Sequence, residues 1–563
     1  MPVTDQKIKE ILLAENYVSA EDIKMAEKYA VLHRTPITED LYARGVITKD
    51  ILGQAIAEYY RIPYADLNSY PVNKEQVLRV PEEIGRKFRV VLFRVDKKGL
   101  IFTTDNPEEK TLPAELAKIA KGEKIKICYS LTEDIDNALV SYRQELTLRF
   151  TEIIKKEKRI APQIFDEILL DALTVRASDV HLEPQEAEVV VRFRVDGVLH
   201  EVGRIPKQFY ENILNRIKVQ ANLRIDEHYA AQDGSIRWSN EKEKVEADLR
   251  VSVMPTLDGE KVVARILARY VQGFSLSDLG FSSRHQEWIV KAAKKPFGMI
   301  IVAGPTGSGK STTLYALLKY VNNSELNITT IEDPVEYKIS GVNQVQVNPR
   351  TNLTFAKGLR SIVRQDPDII LVGEIRDQET AEIAVNAALT GHLLLSTFHA
   401  NDAATAVPRL LDMGVEPFLL SSTLELVISQ RLVRRICEHC RHSVKIDLEK
   451  LEKKFKGAGQ YFSRGATLYE GAGCDVCGHT GYKGRVAIFE FIYVNSDMKD
   501  LILKNPSSRE IWTLAKEMGS ASLFEDGIEK VKNGVTTIDE LLRVAAPPEI
   551  PVIKNYATKK EKN

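Results

Sequence analysis

The spacing of apolar positions changes character several times along the chain. In residues 12–30 (LLAENYVSAEDIKMAEKYA) and 41–59 (LYARGVITKDILGQAIAEY), apolar side chains recur at helical intervals, which predicts helices with one buried face. The two segments align at an offset of 29, pairing Leu12 with Leu41, Ala14 with Ala43 and Ser19 with Thr48. Ser19 and Thr48 each stand where an N-cap hydroxyl belongs, so residues 1–68 read as a helical module. Residues 69–130 carry short runs such as Val90-Val91-Leu92-Phe93 and Leu100-Ile101-Phe102, the pattern of a small α/β unit, and 131–160 reads as a polar helical linker.

Over 161–272 strand-like stretches such as Val189-Val190-Val191-Arg192-Phe193-Arg194 alternate with Asp-Gly pairs at 196–197, 233–234 and 258–259, each expected to be a turn in an α+β domain. From Leu279 apolar runs alternate with helical periodicity, which predicts a mostly parallel sheet covered on both faces across 279–545. Ser507 with Glu510 and Thr537 with Glu540 have capping-box spacing. Residues 546–563, around Pro547-Pro548, are polar and expected to be disordered. The fold class expected is therefore multidomain α/β.

Composition narrows the class. With 44% hydrophobic and 28% charged residues the chain can bury sizeable cores, and its length calls for several of them. Lys and Arg number 78 against 79 Asp and Glu, so no global basic field favours nucleic acid, and no stable nucleic-acid binding is expected. The opening MPVTDQKIKE lacks a signal-peptide pattern and no apolar run reaches membrane-spanning length, so a cytoplasmic location is expected.

The run Met299-Ile300-Ile301-Val302-Ala303 leads into Gly304-Pro305-Thr306-Gly307-Ser308-Gly309-Lys310-Ser311-Thr312 and then a helix-forming segment. This is G-x-x-x-x-G-K-[ST] in its strand–loop–helix setting. Backbone N–H groups of such a loop converge on phosphate, Lys310 reaches the β and γ phosphates, and Ser311 is placed to ligate Mg²⁺ beside ATP. Further apolar strands end in polar residues: Ile328–Ile331 before Glu332-Asp333-Pro334-Val335-Glu336, Ile369–Val372 before Gly373-Glu374, and Leu393–Leu395 before Ser396-Thr397-Phe398-His399. Glu374 fits a Walker B acid. Spacing leaves Glu332, Asp333 and Glu336 open as the base that deprotonates the attacking water. His392 and His399 are candidates to sense or bridge the γ-phosphate.

GPTGSGKST, IEDPVE, LVGEIRD and GHLLLSTFHAND, in this order, resemble the Walker A, aspartate-box, Walker B and histidine-box motifs of the type II secretion and type IV pilus ATPase family. SDVHLEP at 178–184, VRFRVDG at 191–197, QDG at 232–234 and DLRVSVMPTLDGEKVVARIL at 248–267 resemble that family's second domain. The resemblance covers about 150–545. It implies a RecA-like ATPase domain preceded by a PAS-like α+β domain, with Glu336 as general base and Glu374 as Walker B acid. It also implies that Arg250 and Arg265 act as arginine fingers, ahead of Arg192 and Arg194. The implied assembly is a homo-hexamer with nucleotide between the two domains of each subunit. It would be recruited to the inner face of the cytoplasmic membrane by an inner-membrane platform protein and a cytoplasmic scaffold protein.

Cys437-Glu438-His439-Cys440 and Cys474-Asp475-Val476-Cys477 supply four thiols in two C-x-x-C knuckles, the ligand set of a structural Zn²⁺ site within an insert expected at 431–490. His439, His479 and the lone Cys128 are expected to stand outside that set. Arg431, Arg434, Arg435 and Arg441 nearby raise the competing reading of a zinc ribbon gripping nucleic acid, but no aromatic platform accompanies them. The cysteine insert and long N-terminal extension resemble assembly and secretion motors rather than retraction motors. Pilus assembly is the expected function, with type II secretion and DNA uptake as alternatives. The repeat at 12–59 is also similar to a module that binds cyclic di-GMP in some relatives. There the resemblance implies an Arg-Leu-Gly opening and a closing Gln, where this chain has His33-Arg34-Thr35 and Tyr59, so no cyclic di-GMP binding is expected.

Overall fold

Helical periodicity near the N-terminus yields four helices, Asp5–Ala14, Ala20–His33, Ile37–Ala43 and Lys49–Tyr59, which bury Ile11, Leu12, Ile23, Leu41 and Ile56 in one core. Ser19 Oγ accepts from Asp22 N at 3.0 Å and Thr48 Oγ1 from Ile51 N at 3.3 Å, as their N-cap positions predict. The structure is a computed structural model. It describes the chain apart from residues 1–4, 15–16, 34–35, 44–45, 68–69, 71, 97–98, 140–141, 143–160, 241–244, 268–275, 475–476 and 548–563. Most of the expected linker and most of the expected disordered tail lie outside the described residues. Among the described residues, no helix is long and apolar enough to cross a membrane.

The chain divides into two compact units, Met1–Asp278 with Ala316–Leu326 and Asp333–Gln346, and Leu279–Tyr315 with Asn327–Glu332 and Val347–Asn563. In the first unit, strands β1 (Val90–Asp96), β2 (Gly99–Thr104) and β3 (Ile125–Tyr129) form a sheet in that order, antiparallel then parallel. Strands β4 (Asp179–Pro184), β5 (Glu188–Val195), β6 (Val198–Pro206), β7 (Gln232–Asn240), β8 (Val245–Thr256) and β9 (Gly259–Leu267) form an antiparallel sheet ordered β6-β5-β4-β9-β8-β7. Its alternating apolar positions, Val191, Phe193, Leu249, Val251 and Val253, pack with Ile168 of the helix Ala161–Thr174 and Ile213 of the helix Tyr210–Gln220. Each such fully buried apolar side chain stabilises the fold by roughly 1.5–3 kcal/mol.

Asp196-Gly197 and Asp258-Gly259 turn between strands as expected, but Asp233-Gly234 lies inside β7. The reason is close packing rather than turn geometry: a Cβ on Gly234 would lie 2.4 Å from Ala221 O. The first unit also contributes β12 (Asn343–Gln346).

The second unit is built on β10 (Gly298–Ala303), β11 (Ile328–Glu332), β13 (Ile369–Val372), β14 (Leu393–Phe398), β15 (Leu424–Ile436) and β18 (Tyr482–Tyr493). They are ordered β11-β13-β14-β10-β15-β18, every pair parallel except the last. The continuous burial of β10, β11, β13 and β14 is what a parallel sheet covered on both faces requires. The helices Gln378–Leu389 and Ala403–Asp412 bring Ala381, Val385, Val407 and Leu410 into the core with Ile301, Ile370 and Leu394. Because β15 runs to Ile436 and β18 starts at Tyr482, the cysteine segment is 437–481, narrower than the expected 431–490. It includes the two-stranded sheet of β16 (Arg441–Lys445) and β17 (Thr467–Gly471).

Near the C-terminus Ser507 and Glu510 form the expected reciprocal box. Thr537 caps its helix, but the carboxylate of Glu540 is drawn instead to Arg434 at 2.7 Å and Arg543 at 2.8 Å. A box at Ser522 and Glu525, not anticipated from the sequence, completes the set.

Candidate phosphate site and cysteine cluster

The phosphate loop connects β10 to the helix Lys310–Val321. Gly304, Gly307 and Gly309 have φ of 147°, 79° and 91°, a region open to glycine and costly for other residues, so the sequence's glycines set the loop's path. Lys310 Nζ reaches back across the loop to Gly304 O at 2.9 Å and Pro305 O at 3.0 Å. Burial lowers the Lys310 pKa, opposed by the nearby Glu374 carboxylate and reinforced by the Arg431 guanidinium. An anion would relieve that burial penalty.

Glu374 follows β13 and is held by its neighbours. Gly373 N donates to Ile331 O at 2.7 Å, and Thr397 Oγ1 on β14 donates to Gly373 O at 2.6 Å. Its Oε1 pairs with Arg376 at 2.5 Å. Its buried Oε2 lies 3.3 Å from His399 Nε2 yet has no hydrogen-bond partner among the described residues. A buried carboxylate oxygen left open close to Lys310 and the loop fits a water in the shell of a loop-bound Mg²⁺. Ser311, the expected Mg²⁺ ligand, is exposed on the first turn of the helix, and Thr312 follows it.

The two histidines differ. His399 stands beside Glu374, with its carbonyl accepting from Arg409, whereas His392 Nδ1 is 2.8 Å from Ala387 O, a local contact at the start of β14. The three acids after β11 differ too. Glu332 is buried and accepts from Tyr315 and Thr330, while Asp333 is exposed. Glu336 lies 3.7 Å from Arg250, whose Nη2 donates to Val335 O at 3.0 Å. Arg265 pairs with Asp179 at 3.1 Å, Arg194 with the same carboxylate at 3.5 Å, and Arg192 with Glu183 at 2.5 Å. Burial works to raise the Glu183 pKa, but Arg192 and Lys261 outweigh it and bring it down to about 2.

Two residues beside the loop and Glu374 carry no motif role of their own. Thr397 orients Gly373-Glu374, and its polarity at the end of a buried strand was a usable signal. Arg431, weighed only as a nucleic-acid contact, donates to Asn401 O at 2.6 Å and borders the loop at Gly304. The other basic residues near the cysteines are engaged locally: Arg434 with Glu540, Arg435 with Glu438 at 3.4 Å, and Arg441 over the Tyr469 ring at 4.2 Å.

The four thiols of Cys437, Cys440, Cys474 and Cys477 lie within 4.8 Å of one another. Sγ separations are 3.8 Å for Cys437 and Cys474, 3.9 Å for Cys440 and Cys477, and 3.7 Å for Cys474 and Cys477. A tetrahedron with Zn–S bonds of about 2.3 Å has edges of about 3.8 Å, so the set fits Zn²⁺. Gly473 N donates to Cys440 Sγ at 3.3 Å and Gly481 N to Cys477 Sγ at 3.3 Å, the N–H pattern that stabilises thiolates. Burial works to raise the Cys477 thiol, but donors from Cys474 and Gly481 bring it down to about 7. Cys128 is buried elsewhere, and burial pushes its pKa up.

Residues 154–543 match the family described as type II/IV secretion system protein, and residues 60–147 match the MshEN domain. The MshEN match thus follows the helical repeat at 12–59 rather than covering it. The chain is 38% identical to the type IV pilus assembly ATPase PilB of Myxococcus xanthus, over 96% of this chain and 99% of that protein. It is also 38% identical to the protein of the same name from Thermus thermophilus, over 90% of this chain but only 58% of that longer one. Identity to the type II secretion system ATPase E of Vibrio cholerae is 44%, over 84% of this chain and 98% of that one. Among solved structures, the ATPase DotB of Legionella pneumophila shares the fold with a TM-score of 0.52 at 20% identity, covering 69% of this chain and 97% of that one. With a family match across residues 154–543 and 38% identity to the Myxococcus protein over nearly its whole length, the chain belongs to the type II/IV secretion system protein family and is one of its P-loop ATPases.

Proposed function

We propose that this chain is the motor ATPase of a type IV pilus assembly machine. The observation that carries the reading is the end-to-end similarity to the Myxococcus pilus assembly ATPase, which includes the N-terminal region as well as the ATPase domain. ATP binds on the loop Gly304–Thr312, with Lys310 on the β and γ phosphates and Ser311 and Glu374 holding Mg²⁺, directly and through water. A Mg²⁺ held by Ser311 and Glu374 would supply charge neutralisation during phosphoryl transfer. Glu336 takes the proton of the attacking water as the P–O bond to ADP breaks, and Arg250 and Arg265 act as arginine fingers. His399, beside Glu374, reports the state of the γ-phosphate, and His392 serves the same box in a lesser role. The proximity of Arg250 to Glu336 supports a shared role for the two.

The motor works as a homo-hexamer at the inner face of the cytoplasmic membrane, recruited by a platform protein and a cytoplasmic scaffold protein, with Zn²⁺ on the four cysteines as a structural ion. Its N-terminal module serves docking rather than cyclic di-GMP binding. A second reading, a type II secretion motor, is favoured by the 44% identity to the Vibrio ATPase. Deleting the gene and complementing with wild type or Lys310→Ala separates them. Loss of surface fibres by microscopy, restored only by wild type, is expected. Intact fibres with lost protein export would select the secretion reading.

A further inference from the structure

Gln430 lies on β15, is 1% exposed, and directs both ends of its side-chain amide to the phosphate-loop region. Its Nε2 donates to Ser308 O at 2.7 Å, and its Oε1 accepts from Thr313 Oγ1 at 2.8 Å. The fit is close: a Cβ on Gly309 would lie 2.9 Å from Gln430 Nε2, and one on Gly304 would lie 2.9 Å from Gln430 O. No other residue type offers a donor and an acceptor in this planar arrangement at this length without adding charge.

The consequence follows from peptide geometry. In a trans peptide the C=O and N–H point to opposite edges, so fixing Ser308 C=O toward β15 aims the Gly309 N–H away from β15. Gly309, at φ 91°, would otherwise let the 308–309 peptide rotate at little steric cost. We propose that Gln430 is a positioning residue for nucleotide binding, locking the 308–309 peptide so that the Gly309 N–H is presented to the β-phosphate. The proposal rests on reading residues 304–311 as the phosphate loop.

The test uses full-length Gln430→Leu and Gln430→Glu, with ADP and AMP affinities from competition against a fluorescent ADP, and KM and kcat for ATP. Loss of the hydrogen bond is expected to weaken ADP about tenfold and raise KM for ATP similarly, with kcat changed less. AMP, which has no β-phosphate, should bind as to wild type. Gln430→Glu keeps the shape but sets an acceptor against Ser308 O, so it should weaken ADP further, and it carries the test if the leucine variant does not fold. Equal losses for AMP and ADP, as general misfolding would give, overturn the proposal, as does wild-type ADP affinity in Gln430→Glu. Lys310→Ala separates the two layers: if it keeps ADP affinity the phosphate-loop reading itself fails, whereas if it alone loses affinity only the role of Gln430 falls.

Discussion

Tyr315, on the helix that follows the phosphate loop, donates its hydroxyl hydrogen to the carboxylate of Glu332 at the end of β11, and both side chains are buried. Thr330 Oγ1 donates to the other oxygen at 2.6 Å. Two donors on a buried carboxylate hold it as a structural acceptor, whereas a general base must offer a lone pair to water. Glu332→Gln should therefore keep turnover within a few-fold of wild type while lowering stability by about 1–3 kcal/mol in thermal unfolding. Glu336→Gln should bind ATP and hydrolyse it at background rate. The reverse outcome, lost turnover in Glu332→Gln and normal turnover in Glu336→Gln, would exchange their roles.

Thr397 makes a narrower prediction. Its hydroxyl fixes Gly373 O at 2.6 Å and so sets the direction of Glu374. Thr397→Val removes the donor and keeps the shape, so kcat should fall about tenfold with ADP affinity unchanged. A rise in the ADP Kd with normal kcat would show instead that Thr397 shapes the loop.

Glu490 on β18 couples this region to pH. Burial pushes its carboxyl up from 4.5 to about 7; the N–H of Ala403 at 2.8 Å works against burial, while the charge of Asp402 adds to it. Arg431 also lies in the field of both acids. Because the folded state holds the proton more tightly, the stabilising contribution is complete below pH 4.5 and is lost as pH rises through about 7. The shift corresponds to on the order of 3 kcal/mol. Glu490→Gln should flatten the stability profile between pH 5 and 8 and raise stability at the alkaline end. An unchanged slope would mean that Glu490 does not titrate in this range.

The phosphate loop was legible because motif, strand and helix occupy one continuous stretch of sequence from Met299 to Val321. The Asp-Gly pair at 233–234 misled for the opposite reason. Gly234 is needed by the carbonyl of Ala221, a contact that the pattern within β7 does not encode. Gln430 was missed on the same ground, since its partners Ser308 and Thr313 lie more than 115 residues away. Spacing left Glu332, Asp333 and Glu336 open and only the resemblance pointed to Glu336, because the donors that engage the Glu332 carboxylate, Tyr315 and Thr330, carry no signal in the motif. Gly234→Ala tests the packing argument directly. Its Cβ meets backbone rather than a movable side chain, so a loss of about 1–3 kcal/mol is expected in denaturant unfolding, and a neutral result would show that β7 shifts freely.

The cysteine cluster gives the last prediction. Three of its S–S separations, 3.7 to 3.9 Å, match the edge of a tetrahedral site, all four thiols lie within 4.8 Å of one another, and the segment that carries them runs from the end of β15 at Ile436 to the start of β18 at Tyr482. Metal should therefore hold the 437–481 segment locally, while the sheet beneath is held by its own ladder and by the core around Ile301 and Leu394. Purified protein should carry one zinc per chain by elemental analysis. Chelation or Cys437→Ser should speed amide exchange across 437–481 and leave β10 and β14 protected. Cys128→Ala, which alters a buried thiol outside the cluster, should retain the zinc. Full protection of 437–481 in metal-free protein would remove zinc from the description of this fold. Equal loss of protection in β10 would mean that the ion supports the whole ATPase unit.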